Sequence, residues 1–74
     1  MVEVFKTDVK HRAQAQKLIA QIAERFHFKA TFDLQDQDKV LRVISNDEFI
    51  ESIPVIHLLN DNGFQAEVLP DICH

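Results

Sequence analysis

The chain has 74 residues, 46% hydrophobic and 27% charged, with 12 acidic and 8 basic side chains giving a net charge of −4. A chain of that length holds one core, here taken as a single domain over 1–74, and buries only about 60% of its unfolded surface, so nearly every periodic apolar position must turn inward. The acidic balance leaves no Lys/Arg cluster for phosphate, which argues against nucleic acid or anionic membrane as partner, and the single cysteine, Cys73, excludes an internal disulfide.

The first strand is expected from Val2 to Thr7 and a helix from Lys10 to Phe26. Ala15, Leu18, Ile19, Ile22 and Phe26 fall on one stripe of a 3.6-residue period, while Gln14, Gln16, Lys17, Gln21, Glu24 and Arg25 fall off it. His27 is placed to end this helix, because histidine tolerates left-handed backbone better than most residues. Phe28, Ala30, Phe32 and Leu34 then alternate with polar residues, the period of a strand with one buried face. Asp36-Gln37-Asp38 reads as a turn and Lys39 to Ser45 as a third strand, so strands two and three form a hairpin.

Pro54 forbids one helix from Asp47 to Asn62. The spacing instead predicts Ser52 as N-cap, Pro54 inside the first turn, and a separate turn over 46–51. Gly63 suits a left-handed helix stop with Phe64 packing back on Leu59, and a last strand is expected from Phe64 to Leu69, ended by Pro70.

The order strand, helix, strand, strand, helix, strand reads as an α+β, ferredoxin-like βαββαβ fold. Right-handed crossovers give a four-stranded antiparallel sheet in the order 4-1-3-2 with both helices on one face. Parity then turns Val2, Val4, Ala30, Phe32, Leu41, Val43, Ala66 and Val68 toward the helices. Glu3, Phe5, Thr31, Asp33, Val40, Arg42, Ile44, Glu67 and Leu69 are left for the open face. Phe5, Ile44 and Leu69, with Arg42 among them, make a candidate interaction patch there, through which a weak homodimer or a protein partner is expected to bind. No apolar run approaches the roughly 20 residues of a membrane span. The opening Val2-Glu3-Val4-Phe5 has no signal-peptide pattern, so a cytoplasmic location is expected.

Thr7 at the end of the first strand, Ile56 and Leu59 before Gly63-Phe64, and Glu67-Val68-Leu69 after it carry a resemblance. The chain resembles the heavy-metal-associated domain, the small module of copper chaperones and metal-pumping ATPases, over nearly its whole length. The first helix is about one turn longer than the family's, and His27 replaces its usual glycine. The resemblance implies a metal site in the loop entering the first helix, where metal-active members carry Met-Thr-Cys-x-x-Cys. Here that loop reads Lys6-Thr7-Asp8-Val9-Lys10-His11, so Asp8 and His11 occupy the two cysteine positions. Two thiolates suit Cu(I); a carboxylate and an imidazole do not, which argues against a conventional copper chaperone.

Asp8 and His11 could instead hold a borderline ion such as zinc, completed by water or a second molecule, with Cys73 and His74 as further donors. The structural alternative is that Asp8 or Thr7 caps the helix, that Cys73-His74 is a tail, and that His57 is half exposed on the second helix. Catalysis has no support: no triad spacing is present, and one glycine cannot build a phosphate loop. The central strand Lys39-Val40-Leu41-Arg42-Val43-Ile44 lacks the aromatics of RNA-binding relatives of this fold, and the first-loop glycine of the ACT domains is missing. The expectation is a non-enzymatic interaction module that has lost its soft-metal pair, with no cofactor beyond a weakly held divalent ion. The alternative is a carrier for such an ion.

Overall fold

A computed structural model describes residues 1–46 and 50–69. Its elements are β1 (Val2–Thr7), α1 (Arg12–Phe26), β2 (Lys29–Asp33), β3 (Val40–Ile44), α2 (Ser52–Asp61) and β4 (Ala66–Val68). The strands lie in the order β2-β3-β1-β4, every neighbouring pair antiparallel, which is the expected 4-1-3-2 order read from the other edge. α1 packs along β2, α2 along β4, and the helices touch each other. The fold is ferredoxin-like. Pro70, Cys73, His74 and the middle of the expected turn over 46–51 lie outside the described residues.

One cluster unites Leu18 and Ile22 of α1, Val55, Leu58 and Leu59 of α2, and Phe5, Ala30, Leu41 and Val43 of the sheet. Burying each of the large members contributes about 1.5–3 kcal/mol, enough in sum to fix which face of the sheet the helices cover. The phases of β2 and β3 follow the sequence pattern: Ala30, Leu41 and Val43 are buried, whereas Thr31 and Arg42 are exposed.

β1 runs in the opposite phase to the one expected. Phe5 is 0% exposed and lies across from Leu41, whereas Val2 is 52% exposed. Residues directly opposite in an antiparallel pair share a face, so Glu3, Phe5 and Thr7 turn to the helices, and Val2, Val4 and Lys6 to the open side. A one-residue change of register flips every side chain, and the far larger area of a phenylalanine than a valine favours the phase that buries Phe5.

α1 begins two residues later than expected. Val9 is fully buried and draws the chain from Thr7 to His11 across the core before the first helical bond, from the Ala15 N–H to the His11 carbonyl (3.0 Å). At the other end His27 is left-handed (φ 60°, ψ 32°), as expected, and donates its N–H to Ala23. β2 stops at Asp33, before Leu34 of the apolar alternation, because the Asp33 carboxylate accepts the N–H groups of Gln35 (3.2 Å) and Asp36 (3.3 Å) and folds the chain away from the ladder. Lys39 closes that turn in left-handed geometry (φ 48°), with its ammonium on the Leu34 carbonyl (2.8 Å).

Pro54 sits in the first turn of α2, where no N–H is needed. Ser52 is the first helical residue, not the cap; Glu51 holds the N-cap position without a side-chain bond. At the far end the Gly63 N–H reaches the Asn60 carbonyl and the Phe64 N–H the Leu59 carbonyl, both at 2.9 Å, a Schellman stop. Gly63 has φ +89°, and a Cβ there would meet nothing within 4 Å, so the backbone angle alone calls for glycine. Gln21 of α1 and Asn62 exchange amide hydrogen bonds (3.3 and 2.9 Å), tying the two helices.

Candidate functional site

The loop from β1 into α1 is held from three sides. The Thr7 N–H donates to the Asp38 carbonyl (3.0 Å), its hydroxyl donates to the Lys39 carbonyl (2.6 Å), and the same oxygen accepts the Val9 N–H (3.2 Å). Asp8 is exposed, and its Oδ1 accepts the Gln65 N–H at 2.8 Å. The carboxylate therefore stands next to the Gly63-Phe64 corner and is engaged with the chain entering β4. Neither Asp8 nor Thr7 caps α1: His11 occupies the N-cap, exposed and without a side-chain cap bond.

A hollow of about 300 Å³ opens here, lined by Lys6, Thr7, Asp8, Gln65, Ala66 and Glu67. His11 is not among its walls. The hollow mixes one ammonium with two carboxylates, and Lys6 lies directly across from Glu67 in the β1–β4 ladder. Lys6 also approaches Asp38 at 4.0 Å, a half-exposed pair of small energetic weight. A cation entering the hollow meets the Lys6 charge and finds one of its two carboxylates already accepting a hydrogen bond. Among the described residues no three His, Cys, Asp or Glu side chains converge as a metal-binding group. His27 and His57 are both exposed, and Cys73 and His74 lie outside the described residues.

The open sheet face has a simple layout. Across the strands, Lys29, Ile44 and Val2 are in line; then Thr31, Arg42, Val4 and Leu69; then Asp33 and Val40, followed by Lys6 and Glu67. Of the expected patch, Arg42, Ile44 and Leu69 are on this face, Ile44 being 38% exposed. Phe5 is not, because the phase of β1 puts it in the core. Val2 and Val4 take its place, so Ile44, Val2, Val4 and Leu69 run across β3, β1 and the end of β4 on the face that also carries Arg42. Val40 is on the same face, across from Asp33, yet only 5% exposed.

A second hollow, about 400 Å³, lies between α1 and β2, with Arg12, Ala15, Gln16 and Ile19 on the helix side and Ala30 through Gln35 on the other. The sequence pattern did not single it out. The signal available was Ala30, a small residue in the middle of an otherwise bulky apolar alternation.

No family model, curated protein or solved structure matches the chain. Among the described residues no helix is long and apolar enough to cross a membrane.

Proposed function

We propose that the chain is a heavy-metal-associated-like protein that serves as a protein-interaction module, with the corner that holds metal in its kin given over to structure. The observation that carries this reading is the 2.8 Å bond from the Gln65 N–H to Asp8. A residue standing in a thiolate position fastens the helix-entry loop to β4, with Lys6 in the lining of the same hollow. The docking surface in this reading is the aliphatic group Val2, Val4, Ile44 and Leu69, with Arg42 beside it on the β2 side of Val4.

The second reading, a carrier for a borderline ion such as zinc at Asp8 and His11 completed by another molecule, draws on these two residues standing where the family it resembles carries its two cysteines. Titration with Zn²⁺, Cu(I) and Ni²⁺, followed by backbone amide shifts, separates the two. The interaction-module reading expects no saturable response over Thr7 to Arg12. Sub-micromolar binding confined to that segment overturns it and establishes the carrier.

A further inference from the structure

We propose that two copies of this chain pair antiparallel along β2, about a two-fold axis through Thr31, to make one continuous eight-stranded sheet. β2 is an outer strand of the sheet, so one side of its backbone has no neighbouring strand among the described residues. Which groups face outward follows from the ladder. The Leu69 N–H donates to the Val4 carbonyl (2.8 Å), so Val4 turns its backbone to β4, and Glu3 and Phe5 turn theirs to β3. Hydrogen-bonding direction alternates residue by residue. Leu41 and Val43 therefore bond to β1, Arg42 and Ile44 bond to β2, and Lys29, Thr31 and Asp33 bond back to β3. Ala30, with 8% of its surface exposed, and Phe32 turn their N–H and C=O groups away from β3, toward the open edge.

The strand itself points to a second copy as its occupant. Lys29-Ala30-Thr31-Phe32-Asp33 is complementary to its own reverse. With the axis at Thr31, Lys29 stands across from Asp33 of the second copy, and this opposite-charge pair occurs twice. Ala30 stands across from Phe32 of the second copy, which satisfies all the outward backbone groups through reciprocal bonds. The second copy's Phe32 falls on the helix side beside Ala30, the smallest apolar side chain of that edge, next to the hollow where Ile19 and Gln16 leave about 400 Å³. Moving the axis to Ala30 or Phe32 loses both charge pairs. The other edge is unsuited to the same use: β4 has three residues centred on Glu67, and pairing it with itself sets two carboxylates face to face.

The test combines sedimentation equilibrium of the whole chain with cysteine cross-linking in a Cys73→Ser background. Thr31 meets itself across the axis at a non-hydrogen-bonded position, where Cα atoms are about 4.5 Å apart and a disulfide can close. Thr31→Cys is expected to cross-link at least about tenfold faster than Lys29→Cys, which meets position 33 rather than itself. Wild type should show reversible association to twice the 8.6 kDa chain mass. Lys29→Glu, at an exposed position, should weaken that association on the order of tenfold by turning both charge pairs repulsive. A chain of single mass at every concentration, cross-linking no faster at position 31 than at 29, or fastest cross-linking of Ile44→Cys on the open face each overturns the proposal.

Discussion

Phe5→Ala is the substitution that most sharply distinguishes the phase of β1 from its alternative. The ring is fully buried among Leu41 and the helix residues of the core, so its removal forfeits transfer energy and leaves a cavity. Losses of about 3–5 kcal/mol are usual for such a change. At about 0.05–0.15 kcal/mol per residue, a chain this short has only about 4–11 kcal/mol in total. With a urea slope of about 1 kcal/mol per molar, the midpoint should fall by about 3 M or more, or the variant should be unfolded without denaturant. Val2→Ala, at a half-exposed position of the same strand, should change stability by no more than about 0.5 kcal/mol. Far-ultraviolet circular dichroism is the suitable probe, since the chain has no tryptophan or tyrosine. A Phe5→Ala midpoint within about 0.5 M of wild type, with the large loss appearing at Val4→Ala, would refute the argument, because it would mean the opposite phase.

Gly63→Ala should cost about 1–2 kcal/mol, all of it from forcing a side-chain residue into left-handed backbone, since the added methyl meets no neighbour; thermal unfolding reads this as a drop of several degrees. His27→Gly relieves the same geometry at the end of α1 and should raise stability by a few tenths to about 1 kcal/mol in the same assay. Gln21→Ala breaks the reciprocal amide pair with Asn62 and should cost about 1 kcal/mol; Asn62→Ala should cost more, because the Asn62 amide also donates to the Leu58 carbonyl (2.8 Å), and the double variant should fall short of the sum of the two because the pair is counted once. Lys6→Ala removes only a half-exposed contact to Asp38 and should leave the melting temperature unchanged within error.

The parts legible in the sequence were those set by local chemistry. Gly63 and His27 are where the chain needs positive φ, and residue type signals that directly. Pro54 restricts α2 to a start within one turn before it. The phase of β1 was not legible, because Val4 and Phe5 are adjacent apolar residues of opposite parity and only pairing with Leu41 and Val43 decides between them. Val9 lies outside the helical stripe, so its role as a buried plug ahead of α1 has no periodic signature. Asp8 had two local readings, cap or ligand; its actual partner, the Gln65 N–H, is 57 residues away and emerges only when β1 and β4 pair. The self-complementarity of β2 was written in five consecutive residues, but it acquires meaning only once β2 is known to be an edge.

Hydrogen exchange at the Gln65 amide, compared between wild type and Asp8→Ala, bears most directly on whether this carboxylate serves the backbone or an ion. If Asp8 fastens β4, the amide exchanges on the order of tenfold faster in the variant, the loss of one hydrogen bond, and added zinc leaves the wild-type rate unchanged. Equal rates in the two proteins, with zinc at one equivalent moving the Gln65 and His11 signals together, would contradict it.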